Sequence, residues 1–168
     1  GAKSTTVTID SDMADFVFTL TGTGMEPEMD LSQDGIPIPD GTGSFDFDEV
    51  NTGGGEKYIT FKINNSGAAG VGNILYLTGT NKVNRISGSA DFSVTTQPSK
   101  TSIDPAGGTT TFVISYTPGS TGSVSAVFEI ENNDPNENPY TFEVTGEGVN
   151  SVISVSKDNS GTWVAVPS

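Results

Sequence analysis

Two segments at opposite ends of the chain carry the same pattern. TTVTIDSDMADFVFTLTGTG, from Thr5 to Gly24, and SVSAVFEIENNDPNENPYTFEVTGEG, from Ser123 to Gly148, both read as strand, acidic turn, strand, Thr-Gly-x-Gly. With the closing motifs superimposed, Phe18 falls on Phe142, Leu20 on Val144, Thr21 on Thr145, Gly22 on Gly146 and Gly24 on Gly148. The echo runs on, placing Met29, Leu31 and Asp34 on Ile153, Val155 and Asp158. Self-similarity of this kind is the mark of a tandem array, in which each unit is one supersecondary or domain-sized block. The expected organisation is therefore a terminal hairpin of a preceding unit over residues 1–24, a complete unit over 25–148, and the opening strand or hairpin of a following unit over 149–168.

Inside the complete unit the hydrophobic period is two. Ile59, Phe61 and Ile63 share one face and Thr60 and Lys62 the other; Phe112, Ile114 and Tyr116 are in phase, as are Val124, Ala126, Phe128 and Ile130, answered by Phe142 and Val144 across a loop. Such alternation marks half-buried strands. Turn clusters separate them at Asp40–Gly43, Thr52–Gly55, Asn64–Gly67, Pro118–Gly122 and Asn132–Pro139. The strands expected in the unit are Met29–Gln33, Ser44–Phe47, Lys57–Asn64, Gly72–Thr80, Asp91–Val94, Thr109–Thr117, Ser123–Glu131 and Tyr140–Thr145. Ile74–Leu77 reads as an apolar run buried on both faces. No window has a 3.6-residue period, so the fold class is all-β, an antiparallel β-sandwich with flanking partial-repeat strands.

Composition narrows the chemistry. The chain has no histidine and no cysteine, which removes Ser-His and Cys-His nucleophile systems, zinc sites of Cys and His, and a disulfide framework. It carries 21 acidic and 7 basic residues, a formal charge of −14. Phosphate neutralisation needs clustered Lys and Arg, so nucleic acid is not an expected partner, and anionic lipid is disfavoured on the same ground. No apolar stretch approaches the roughly 20 residues that span a bilayer, so any leader or anchor would lie outside this window.

The segments GSFDFDEVNTGGGEKYITFKINNSG (Gly43–Gly67), DFSVTTQP (Asp91–Pro98), GGTTTFVISYTPGSTG (Gly107–Gly122) and AVFEIENNDPNENPYTFEVTGEG (Ala126–Gly148) resemble, in order, the Abnormal-spindle/Hydin (ASH) type of immunoglobulin-like domain, close to the bacterial surface repeats described as choice-of-anchor D. The resemblance covers most of residues 25–148. It implies an immunoglobulin-like sandwich with no catalytic residues to carry over, in an extracellular or cell-surface bacterial protein. The expected function is thus a non-enzymatic structural or adhesive module. Alternatives are a calcium- or carbohydrate-dependent binding module and an accessory domain of a surface hydrolase. Expected partners are neighbouring repeat units of the same chain, a surface protein or glycan, and a strand-exchanged homo-oligomer.

The loop from Glu131 to Pro139 holds three carboxylates and four amides. Glu131, Asp134 and Glu137 are the candidate calcium ligands, since calcium takes hard oxygens, although the spacing is not that of an EF-hand loop. Asn, Asp and Pro at this density equally suit a wide turn, which is the leading reading. No other cofactor is expected. Asp46, Asp48 and Glu49, with Asp40 nearby, suggest paired carboxylates of a glycosidase, but alternating Asp on a strand is ordinarily its solvated face. Thr145-Gly146-Glu147-Gly148 closes the last strand with two glycines that tolerate positive φ and reads as a hinge or tight exit between consecutive units. Trp163 is expected to pack against the main domain. The hairpin over Thr5–Thr21 is marginal alone; it is expected to share a small sheet with residues 151–166, to add to a sandwich edge, or to pair with another molecule.

Overall fold

The computed structural model describes residues 2–150, 154–157 and 163–166, the last two stretches as backbone strands. A first hairpin is formed by β1 (Ala2–Ile9) and β2 (Phe16–Thr23). It is followed by β3 (Met29–Gln33), β4 (Ile36–Pro37), β5 (Ser44–Asn51), β6 (Lys57–Asn65), β7 (Leu75–Tyr76), β8 (Asn84–Gly88), β9 (Phe92–Thr96), β10 (Ser102–Ile103), β11 (Gly108–Tyr116), β12 (Gly122–Ile130) and β13 (Tyr140–Val149). A last pair, β14 (Ser154–Lys157) and β15 (Trp163–Val166), is antiparallel.

Two sheets make the sandwich, in the orders β4-β3-β6-β11-β9 and β5-β13-β12-β8. The inward positions of the alternating strands meet between them: Phe61, Ile63, Phe112, Ile114 and Tyr116 from one sheet, Ala126, Phe128, Ile130, Phe142 and Val144 from the other, all buried. The core is largely aromatic. Phe61 stacks on Phe112 with centroids 5.3 Å apart, Phe92 on Tyr116 at 4.5 Å, and Phe128 on Phe142 at 5.8 Å. Edge and offset contacts of this kind add to area burial, so the rings fix sheet alignment as well as excluding water. Phe47 enters fully and Phe45 partly, 5.5 Å apart. The β3–β4 turn is Asp34-Gly35 with φ of 47° and 83°, the left-handed pair that a two-residue hairpin requires.

Four features depart from the expectations. β5 runs parallel to β13, so one pair of the sandwich is not antiparallel. Ile74–Leu77 is not an apolar run buried on both faces: Leu75 and Leu77 are buried while Tyr76 is exposed, and only a two-residue strand forms. β13 continues through Val149, so the Thr-Gly-x-Gly motif lies within a strand, paired with β12 on one side and β5 on the other. Neither Gly146 nor Gly148 has positive φ. They are glycines for want of space, not for conformational freedom. A Cβ on Gly146 would stand 2.6 Å from the Tyr116 ring, and one on Gly148 would collide with the carbonyl of Ser120. The motif is a seam against β11 and the turn after it, not a hinge.

Of the three arrangements expected for the first hairpin, two are not found within the chain: among the described residues β1 pairs with β2 alone and β14 with β15 alone, so the hairpin neither shares a sheet with β14–β15 nor extends a sandwich edge. The side chain of Trp163, and with it the expected packing of that residue, lies outside the described residues.

Candidate functional site

The loop between β12 and β13 is built from its amides outward. Asn132 is buried; its Nδ2 donates to the carbonyls of Ile130 (3.0 Å) and Glu137 (2.9 Å), and its Oδ1 accepts from the Asp134 amide (2.7 Å). Asn133 reaches sideways, accepting from the Tyr76 amide at 2.6 Å and donating to the Ile74 carbonyl at 3.1 Å. These bonds supply partners to backbone groups that the loop would otherwise leave unpaired.

The three acidic residues named from the sequence are not brought together. Glu131 is exposed and borders a separate depression with Gly79, Thr80, Asn81, Asn84 and Glu129. Asp134 is fully buried; its Oδ2 accepts from the Met29 amide (2.9 Å) and its Oδ1 from the Asn136 amide (3.3 Å), so it fastens the loop to the start of β3. Glu137 is half-buried, and its Oε2 is enclosed with no hydrogen-bond partner. Among the described residues no group of three His, Cys, Asp or Glu side chains is arranged to hold a metal ion.

Glu137 is nevertheless the most perturbed acid. Burial first, then the negative charges of Asp134, Glu28, Asp40 and Asp30, push its carboxyl up to about 7. Glu28 is raised as well, by burial and then by Asp134, Asp30 and Glu26. Burial followed by Glu137 raises the Tyr140 phenol, which donates to the Ile38 carbonyl at 2.6 Å. This end of the sandwich is a crowd of carboxyl groups with no cation among the hydrogen-bond partners of Glu137. The sequence did not disclose it, because Glu28 and Asp40 lie about 100 positions from Glu137 and only the folded chain brings their charges to bear on it.

Asp46, Asp48, Glu49 and Glu147 line a second place, an acidic groove of about 530 Å³ along the outer face of β5 and β13. Asp46, Asp48 and Glu49 are exposed, and Asp48 is paired with Lys57 at 2.7 Å. Asp40 is elsewhere, its Oδ1 accepting from the Thr141 amide at 2.6 Å. The arrangement is the solvated face of an edge strand, without a closed cleft or an aromatic wall among its lining residues.

The third place is the β1–β2 hairpin. Its ladder repeats that of β12–β13 pair for pair once the glycine motifs are matched: Lys3–Gly22, Thr5–Leu20, Val7–Phe18 and Ile9–Phe16 correspond to Val124–Gly146, Ala126–Val144, Phe128–Phe142 and Ile130–Tyr140. On the second strand, Phe16, Phe18, Leu20 and Gly22 thus share one face, as Tyr140, Phe142, Val144 and Gly146 do.

The fold and these surfaces define an immunoglobulin-like β-sandwich module. Among solved structures, the chain is similar to a protein of unknown function from Porphyromonas gingivalis W83, with a TM-score of 0.53 and 20% identity, covering 88% of this chain and 66% of that one. It is also similar to an ASH/PapD-like domain of human CEP192, PapD-like domain 7 (TM-score 0.46, 14% identity, 74% of this chain and 87% of that one), and to the Vibrio cholerae VesB protease (TM-score 0.47, 16% identity, 62% of this chain and 30% of that one). No protein-family model and no curated protein matches the chain. At 20% identity the likeness to the Porphyromonas gingivalis protein is one of fold.

Proposed function

We propose that this chain is a non-enzymatic immunoglobulin-like module of a bacterial secreted or cell-surface repeat protein, serving as a spacer or adhesive element. The observation that carries the reading is the matched ladder of the two hairpins, since recurrence of a sandwich-closing element is what a tandem array produces. A rigid aromatic core sets the length of each unit, and the exposed loops and edge strands contact a surface protein or glycan. The acids support the same reading: Asp134 is consumed by backbone donors, Asp48 by Lys57, and no histidine is present to act as a base. Protease shaving of intact source cells, followed by immunoblotting for residues 25–148, tests the placement. Loss of the signal from intact cells is expected; protection until lysis would refute a surface role.

A cation-binding reading is favoured by one feature, the enclosed and unpaired Oε2 of Glu137 among like charges. We expect millimolar calcium to leave the melting temperature unchanged, because Asp134 has no oxygen free of a backbone donor. A rise of several degrees that vanishes in Glu137→Gln would instead assign the loop to calcium, by the linkage of ligand binding to stability.

A further inference from the structure

The β1–β2 hairpin exposes what its counterpart buries. Phe16 and Leu20 are 64% and 53% exposed, whereas Tyr140 and Val144, at the same ladder positions of β13, are 3% and 0% exposed. The glycines differ in the same sense. The Tyr116 ring fills the space over Gly146, but nothing lies within 4 Å of a Cβ on Gly22. Glycine inside a strand weakens it unless something approaches closely, so Gly22 has the residue type of a packed position without the packing.

The counterpart also shows what such a hairpin fits. β12–β13 is flanked by β8 on one edge and β5 on the other, and Phe142 lies over Phe61 and Phe112 of the opposite sheet at 5.7 and 6.2 Å. A face-to-face pair of β1–β2 hairpins from two copies is too small to replace this. Eight residues at about 3.4 Å each, two strands wide, give roughly 270 Å² per partner, against about 800 Å² in a stable interface. Both ladder edges would remain open as well.

We infer that β1–β2 closes a second sandwich of this same architecture, supplied by residues ahead of it in the same polypeptide. A strand of the β5 kind lies parallel to β2, one of the β8 kind lies antiparallel to β1, and an aromatic side chain of the β11 kind covers Gly22. The inference rests on the array reading and adds to it the register, the strand neighbours and the contact at one glycine.

Hydrogen exchange read by mass spectrometry, on residues 1–168 and on the full-length polypeptide, tests it. The amides of Phe16–Thr23 should exchange at least ~100-fold more slowly in the full-length protein. Gly22→Val should abolish that protection there while leaving residues 25–149 unchanged, and should have no such effect in the 168-residue chain; Thr21→Val, on the opposite face, should be silent in both. Where a sandwich does precede residue 1 but Gly22→Val is neutral, the docking geometry is overturned and the array reading survives. A full-length protein with no preceding sandwich overturns both. Protection in the 168-residue chain that rises with protein concentration overturns the inference in favour of a second copy.

Discussion

A methyl group at position 146 has nowhere to go. The Tyr116 ring beneath it is stacked on Phe92 and in edge contact with Phe47, so it cannot rotate away without disturbing both. Gly146→Ala should cost about 2–3 kcal/mol by overpacking, measured by urea denaturation, while Gly22→Ala in the same chain should be neutral or stabilising. Asn65 is a second such residue. Its Nδ2 donates to the carbonyls of Asn73 (2.7 Å) and Ile103 (3.0 Å), and its Oδ1 accepts from the amides of Glu28 (3.2 Å) and Gly67 (3.1 Å). Asn65→Ala should lose about 3 kcal/mol, because buried backbone groups are left unpaired, whereas Asn64→Ala next to it should lose less than about 0.5 kcal/mol. Glu137 carries the pH dependence. Its folded-state pKa of about 7 lies above the ordinary value of 4.5, so the fold favours the protonated form. That favourable contribution is complete below the ordinary value and is lost as pH rises through about 7. Glu137→Gln, which keeps the neutral shape, should melt a few degrees above the wild type at pH 8, and the gap should shrink as pH falls through about 7 and close below the ordinary value of 4.5.

At the level of elements, what the sequence disclosed was whatever repeats at period two and is buried by it. β3, β6, β11 and β12 were expected within a residue or so of their ends, because each carries its own alternation. β8 was missed. All five of its residues are exposed, so Asn84–Gly88 has no buried phase to reveal it, and it is a strand only because β12 offers a free edge. The parallel placement of β5 was likewise hidden, since a strand's direction relative to its neighbour depends on the path of the intervening chain and leaves no local mark. The same reason explains Asn65: Asn in Asn-rich turns reads as solvent-facing, and only contacts from distant segments, the Ile103 carbonyl and the Glu28 amide, make it the organising residue of its loop, whereas the side chain of the buried Asn132 bonds within its own loop. Of the candidate ligands, Asp134 accepts from a backbone amide at each oxygen and so holds the loop to the start of β3, a contact between segments 105 positions apart that no local pattern announces. An edge held by one partner should open first. Gly88 has φ of +84°, and a Cβ there would strike the carbonyl of Ser125, so Gly88→Ala should release β8 from β12 while β13 and β11 keep their protection in hydrogen exchange.

For the whole molecule, charge and segmentation govern behaviour. With 21 acids against 7 bases the folded chain repels itself, and screening should relieve this. Raising sodium chloride from about 20 mM to about 0.5 M should increase the melting temperature by a few degrees, an effect that calorimetry would register and that a charge-balanced sandwich would lack. Unfolding should report the sandwich of β3–β13 alone, because among the described residues the terminal hairpins share no ladder with it; deleting residues 1–24 should leave its melting temperature within about 2 °C. The outer strand β5 has a consequence at this scale. It leaves its backbone open on one side, and a free strand margin invites another protein to zip onto it. Here the strand is kinked where Asp48 takes φ of 55° and the ladder slips, and its rim is studded with Asp46, Asp48 and Glu49. Two such rims brought side by side would set anion against anion along a bent seam. Many copies crowded on one support would then stand apart as separate bristles instead of fusing into a sheet.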